Sequence, residues 1–181
     1  MEIFGRFPQE VLLRDGSRAV LRLLERQDAD ALMEFFDSLS EGARRFLWDD
    51  VTDKRVIEGW AKNINYNLVL PVLAEVKGKI VADATLHRRP SGPHRHVGRV
   101  RVVVHQDFLG KGLGTILTRT FIEIATEAKL KILTCMLAEE EVEAIQTLRG
   151  LGFRMAAIIP NYFMDPKGRI YNTIMMMRKL G

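Results

Sequence analysis

Three glycines alternate with larger residues in the stretch QDFLGKGLG, at Gly110, Gly112 and Gly114, just after the β-branched run VRVVV of residues 100–104. Beyond them Leu113, Ile116, Leu117, Phe121, Ile124, Ala125 and Ala128 recur at helical spacing. The glycines therefore read as a strand-to-helix turn with the helix N-terminus aimed back at the loop. Unpaired amides and the positive end of the helix dipole converge at such a turn, and glycine lets the backbone close on an anion with no Cβ in the way. The chemistry this predicts is the binding of a phosphorylated ligand. A P-loop would need Ser or Thr after Gly-Lys, whereas Gly110-Lys111 is followed by Gly112. A dinucleotide site would need G-x-G-x-x-G among repeated parallel βαβ units, and the strands before residue 88 read as antiparallel.

Other groups with chemical reach surround this turn. Lys111 in the loop and Arg119 along the helix are placed for ligand phosphates, Arg119 reading also as a solvated surface charge. His87, His94 and His96 stand among Arg88, Arg89 and Arg95, either as a clasp for an anion or as solvated loop charge. Without Cys or carboxylate partners at ligand spacing these histidines predict no metal site. His105 ends the strand and reads as a group titrating near neutrality or as a strand cap. Cys135 lies in an apolar run and reads as core packing, as does Met175-Met176-Met177.

The elements that must position these groups follow from periodicity. Residues 10–24 read as two short strands about Asp15-Gly16, a hairpin dipeptide. Helical spacing at Ala29, Leu32, Met33, Phe35 and Phe36 follows, with Asp28 as N-cap; a second helix covers Glu41 to Trp48 behind Ser40, and a third runs from Asp53 to about Ile64. Strands at 67–76 and 79–87 are joined by Lys77-Gly78, short enough to force antiparallel pairing; Pro71 within the first suggests an irregularity or an edge position. After the 97–105 strand and the glycine-loop helix come a strand at 131–138, a helix opened by three glutamates and stopped at Gly150-Leu151-Gly152-Phe153, and a closing hairpin about Asp165-Pro166-Lys167-Gly168. Antiparallel strands first, then one strand–helix–strand crossover, make an α+β sheet with helices upon it.

With 181 residues and no low-complexity spacer, residues 1–181 read as one domain. The net charge of +4 suits an anionic ligand but falls short of the basic face of a dedicated nucleic-acid binder, so no nucleic-acid partner is expected. A single cysteine excludes a disulfide framework and suits a reducing, cytoplasmic setting. The N-terminal MEIFGRFPQE lacks an apolar h-region, and no apolar run is long enough to span a bilayer, so neither a signal peptide nor a membrane is expected.

Taken together, these segments resemble the GNAT superfamily of acyl-CoA-dependent N-acetyltransferases over essentially the whole chain. Leu109-Gly110-Lys111-Gly112-Leu113-Gly114 occupies the register of that family's Q/R-x-x-G-x-G/A loop, and the helix leading into Leu151-Gly152-Phe153 is similar to a second family signature. The VVV-x-x-x-x-x-G-x-G-x-G segment and LRLLERQDADALMEFFDSLS are loosely similar to the catalytic domains of bacterial protein-lysine acetyltransferases. The resemblance implies a GNAT fold: a mixed, mostly antiparallel sheet of about six to seven strands flanked by helices, with acyl-CoA at the splay between the fourth and fifth strands of the family order. It implies acetyl-CoA or another acyl-CoA as co-substrate, no metal, and a small-molecule amine or protein lysine as acceptor, in a monomer or homodimer. The implied acyl-CoA contacts are Val102, Val103 and Val104 on the strand, then Leu109, Gly110, Lys111, Gly112, Leu113, Gly114 and Thr115.

Acyl transfer to an amine needs a neutral nucleophile, a place for the oxyanion and a proton for the leaving thiolate. By resemblance the oxyanion site is a backbone N–H near Val104. The family's glutamate base falls at or beside Arg99, its tyrosine acid at Leu148, its asparagine at Glu141, and its loop-opening Gln or Arg at Leu109. Arginine is no base at neutral pH. Glu141, at the strand-to-helix junction, and Asp83, mid-strand in KIVADATLH, are the substitute bases; each also has a structural reading, Glu141 as a helix-dipole residue and Asp83 as a hydrogen-bonded or edge carboxylate. Direct transfer from acetyl-CoA to a primary amine is therefore expected, the alternative being a catalytically silent acyl-CoA-binding module.

Overall fold

A computed structural model describes residues 5–47 and 49–181; Trp48, the expected end of the second helix, lies outside the described residues. Strands β1 (Gln9–Leu12) and β2 (Arg18–Leu23) form the opening antiparallel hairpin. Its turn is longer than a two-residue link. Leu13 N–H donates to Ser17 O, and Asp15 Oδ1 accepts from both the amide and the hydroxyl of Ser17. Three helices follow: α1 (Ala29–Ser38), α2 (Glu41–Arg44) and α3 (Lys54–Lys62). Ser40 caps α2 by accepting from Ala43 N–H and Asp53 caps α3 by accepting from Arg55 N–H. Asp28 precedes α1, but its carboxylate accepts from Arg22 at 2.6 and 2.8 Å and from Glu25 N–H at 2.7 Å, so it does not cap α1.

Strands β3 (Val69–Val76) and β4 (Lys79–His87) pair antiparallel across Lys77-Gly78, both residues at positive φ, the geometry of a two-residue hairpin. Pro71 is not on an edge strand, since β3 lies between β2 and β4. Its carbonyl accepts from Leu24 N–H just past the last β2 pair, Leu23 with Val72, so its missing donor falls where the ladder has ended. Then come β5 (Val97–Val104), a 3-10 turn at Gln106–Phe108, α4 (Leu113–Glu127) and β6 (Ile132–Ala138). Helix α5 (Val142–Gly150) starts after the three glutamates, so only Glu143 lies in its first turn. Phe153 N–H closes the helix end onto Leu148 O. Strands β7 (Arg154–Met164) and β8 (Ile170–Lys179) complete an α+β sheet of eight strands, more than the six to seven expected, in the order β1-β2-β3-β4-β5-β6-β8-β7.

Side-chain alternation along the central strands sorts the core into two layers. On one face Val72, Ala74, Ala82, Ala84, Leu86 and Val100 meet Leu117, Phe121 and Ile124 of α4 and Ile145 and Leu148 of α5. On the other, Leu73 and Val103 meet Leu32, Phe35 and Phe36 of α1 and Ile57 of α3. No helix among the described residues is long and apolar enough to cross a membrane.

Among the described residues the β5–β6 pairing is the only parallel contact, and it is short: Val97 with Ile132, Gly98 with Leu133, Arg99 with Thr134. At this closed end a Cβ on Gly98 would sit 2.8 Å from Leu130 Cδ1, 2.9 Å from Leu133 Cδ2 and 3.0 Å from Leu86 Cδ1. Overpacking of this kind costs about 1–3 kcal/mol, so Gly98→Ala is expected to lower unfolding free energy by that amount in a denaturant titration.

Candidate active site

Beyond Arg99 and Thr134 the two strands part, β5 following β4 as far as Ala82–Val104 and β6 following β8 to Ala138–Thr173. A cavity of about 890 Å³ opens in the splay. His105 N–H donates to Val81 O at 2.9 Å, so alternation turns the main-chain groups of Val102 and Val104 away from β4 and into this gap. A half-empty strand edge thus forms one wall. In the family strand order these are the fourth and fifth strands; the N-terminal hairpin moves the count by one here.

The glycine loop closes the end of that edge. Gly110 (φ 74°) and Gly112 (φ 87°) are both left-handed, and Gly112 is the N-cap of α4 with no side chain capping it. The leading amides of α4 are therefore available to an anion. Gln106 ties this corner to the helical layer: its Oε1 accepts from Ser40 N–H and its Nε2 donates to Ser38 O, both at 3.0 Å.

Val102, Val103, Val104, Leu109, Gly110, Gly112, Leu113, Gly114 and Thr115 all line the cleft. Lys111 does not. Its Nζ pairs with Asp15 Oδ2 at 2.9 Å and lies 4.6 Å from the Phe108 ring centre. Hydrogen bonds from Ser17 and then from Lys111 hold the Asp15 carboxyl well below its usual range. The cation that does line the cleft at the loop is Arg14. Its N–H donates to Lys111 O at 3.0 Å, and its side chain lies over Gly112, Nε 3.3 Å from where a Cβ would stand. Nothing local in the sequence marks Arg14, because its position depends on the hairpin turn folding back onto a loop far along the chain.

A polar wall lies on the α1 and α3 side. Asp83, Thr85 and His87 of β4 share a face with Arg99 and Arg101 of β5, Thr85 opposite Arg101 and His87 opposite Arg99, and all five line the cleft with Trp60. Asp83 is buried and accepts from Arg101 Nη2 at 3.0 Å. Burial pushes the Asp83 carboxyl up while Arg101 pulls it back. The Arg101 guanidinium in turn lies 5.6 Å from the Trp60 ring centre. His87 Nε2 meets Thr85 Oγ1 at 3.1 Å, and burial, then Arg99 and Arg101, lower its pKa to about 4. This imidazole is neutral at pH 7. The sequence cluster of histidines is thereby split: His87 is in the cleft, while His94 and His96 are exposed in the 88–96 loop. His105 Nδ1 accepts from Asp107 N–H at 3.2 Å and caps the 3-10 turn outside the cleft.

Across the gap, Cys135, Glu141, Ala144, Thr147 and Leu148 form the β6–α5 side. Glu141 is folded back so that its Oε2 accepts from Ala138 N–H at 2.7 Å. Burial raises its carboxyl above the usual value, against that hydrogen bond and the attraction of Arg45. Burial, and then the Glu141 carboxylate, push the Cys135 thiol up to about 12, so it is no nucleophile at neutral pH. Arg99 acts on the same thiol in the opposite sense, which puts Glu141 and Arg99 around the point where the strands begin to part. A half-buried carboxylate, an open strand edge and an amide cradle in one cleft can together take a proton, align an extended amide-bearing chain and hold its phosphates.

A family model described as the acetyltransferase (GNAT) family matches residues 30–153. Among solved structures, the GNAT domain of S. lividans PAT superposes with a TM-score of 0.78 at 17% identity, covering 95% of this chain and 96% of that one. A phosphinothricin acetyltransferase from Sinorhizobium meliloti in complex with AcCoA gives 0.76 at 19% identity, over 90% and 89%. Ribosomal-protein-S5-alanine acetyltransferase from Vibrio fischeri gives 0.78 at 18% identity, over 89% and 92%.

Proposed function

The chain belongs to the acetyltransferase (GNAT) family, its model matching residues 30–153, and from that premise we propose that it transfers an acetyl group from acetyl-CoA directly to a primary amine, with Glu141 as the proton acceptor. The observation that carries this reading is the open edge of β5 running into the glycine cradle. Val102 and Val104 offer main-chain donors and acceptors along the gap, as a neighbouring strand would require them, and so fit the amide-bearing arm of an acyl-CoA. The amides from Gly110 to Thr115 and the start of α4 fit its pyrophosphate. The Arg14 side chain supplies the positive charge that Lys111, paired with Asp15, does not.

In the reaction the amine nitrogen forms a bond to the thioester carbon and the carbon–sulfur bond breaks. The ammonium of a lysine-like amine has a pKa of about 10.4, so near pH 7 only about one molecule in a few thousand is a nucleophile. Glu141 receives the proton, and the burial that raises its pKa makes it a better base than an exposed glutamate. The main-chain N–H of Val104 faces the gap and donates to the oxyanion. Leu148, in the place of a tyrosine acid, has no proton to give; a thiol with a pKa of about 8.5 leaves as the thiolate and takes its proton from water. Asp83, held by Arg101, orients that guanidinium.

Thiol release from acetyl-CoA over a panel of amines, beside a direct acetyl-CoA titration, tests the proposal. Release with at least one amine is expected. Tight acetyl-CoA binding without release from any acceptor would leave a catalytically silent acyl-CoA-binding module, and no binding at all would remove both readings. Arg14→Ala is expected to weaken acetyl-CoA binding by on the order of fivefold, the value of about 1 kcal/mol for a partly exposed ionic contact, with an effect that shrinks as salt is raised.

A further inference from the structure

The wall opposite the β6–α5 side sets two guanidiniums side by side, which an amine alone does not call for. Arg99 and Arg101 project from the same face of β5, two residues apart, into the cleft. Two carboxylates lie on that side, Asp83 and Asp49. Asp83 accepts a single hydrogen bond from Arg101, Nη2 to Oδ2 at 3.0 Å. Among the described residues this is the only hydrogen bond that the Arg101 guanidinium makes, and its Nε is buried without a partner. Asp49 is exposed, in the segment between α2 and α3. His87, beside both arginines, adds no charge at pH 7, while Thr85 and the Trp60 ring complete a pocket with polar and flat apolar surfaces.

A guanidinium is a planar fork of donors with a fixed positive charge, matched to a carboxylate, and the Arg101 fork spends one donor on Asp83. The same fixed charge lowers the pKa of a neighbouring amine, favouring its nucleophilic form. Resting on the acyl-transfer reading above, we propose that the acceptor is an amino acid, its carboxylate held by Arg99 and Arg101 and its amine left for the thioester. The carboxylate accepts from the two guanidiniums, the amine loses its proton to Glu141, and the product is an N-acetyl amino acid plus free coenzyme A. A lysine presented by a protein carries no carboxylate at that distance from its amine and does not satisfy the wall.

The experiment titrates the CoA-saturated protein calorimetrically with each of the twenty common L-amino acids and with the matching α-carboxamides, and measures thiol release from acetyl-CoA on the same panel. The expected result is that at least one amino acid binds and is acetylated, with kcat/KM on the order of 10- to 100-fold above its carboxamide, as charge-assisted hydrogen bonds lead one to expect. Arg99→Gln collapses that ratio toward one, chiefly through KM. Arg101→Lys, which keeps a charge for Asp83 but loses the fork, lowers it in part. Acetyl-CoA affinity of each variant, measured on the same samples, checks that the cleft is folded. Equal binding of acids and carboxamides, or no binding of any amino acid, overturns the proposal; acetylation of a carboxylate-free amine or a peptide lysine in that case leaves acyl transfer standing. Selective amino-acid binding with no thiol release supports the carboxylate site and removes acyl transfer instead.

Discussion

Glu141→Gln is expected to lower kcat by about 10²- to 10⁴-fold, the usual contribution of a positioned general base, with acetyl-CoA affinity retained. The amide of glutamine can still accept from Ala138 N–H, as Glu141 Oε2 does at 2.7 Å, so the start of α5 keeps its shape and only the basicity is lost. The pH profile separates this role from a structural one. Burial is the leading influence on Glu141 and raises its pKa; the base works deprotonated, so the wild-type rate climbs with pH through that raised value and then levels. In Glu141→Gln the limb disappears, and the residual rate keeps rising toward the pKa of the acceptor amine. Stability has the opposite sign. A carboxyl whose folded pKa exceeds its unfolded one binds its proton more tightly when folded, so the stability it contributes is present at low pH and is lost as pH rises from the unfolded value through the folded one. The variant should therefore lose that part of the pH dependence and be no less stable than wild type at neutral pH. A kcat near wild type with the acid limb intact would make Glu141 a helix-start carboxylate only and transfer the search for the base to Asp83.

Gly112→Val is expected to weaken acetyl-CoA binding on the order of 100-fold. Gly112 sits at φ 87° as the N-cap of α4, and a non-glycine residue in the left-handed region costs about 1–3 kcal/mol, a β-branched one toward the upper end. A Cβ there also presses on Arg14, whose Nε, Cγ and Cδ lie 3.3, 3.4 and 3.6 Å from its position. The free protein relieves both by letting the loop leave its cradle shape, so the cost appears when ligand demands that shape again. Titration calorimetry measures the loss, and thermal unfolding of the free variant should change far less than the affinity. If binding is unaffected, the cradle does not hold the pyrophosphate.

Much of the frame was legible because it is written in local signals. The β-branched run VRVVV, the Lys77-Gly78 turn, the helical spacing after Gly112 and the Gly150-Leu151-Gly152-Phe153 stop each act over a few residues. Boundaries failed where tertiary contacts compete with such signals. Asp28 reads as an N-cap, yet the half-buried Arg22 claims its carboxylate. The three glutamates read as a first turn, yet Glu141 folds back to Ala138 N–H and the helix starts at Val142. Pro71 reads as an irregularity or an edge position, yet β3 lies inside the sheet and the missing donor falls past the end of the β2 ladder.

By itself the sequence determined an α+β order with one strand–helix–strand crossover and a glycine turn at its centre, since glycine positions and hydrophobic period act on the chain next to them. It could not determine which charges meet. Lys111 lies inside the loop motif but pairs with Asp15, while Arg14, nearly a hundred positions earlier, lies over Gly112. Arg99, Arg101, Thr85 and His87 become one wall only because the β4–β5 register puts them on one face. The splay exists only because β5 and β6 pair for three residues and then follow different neighbours. Those facts depend on strand register and on side-chain directions between distant segments, and free energies of that kind are settled only when the whole sheet is assembled.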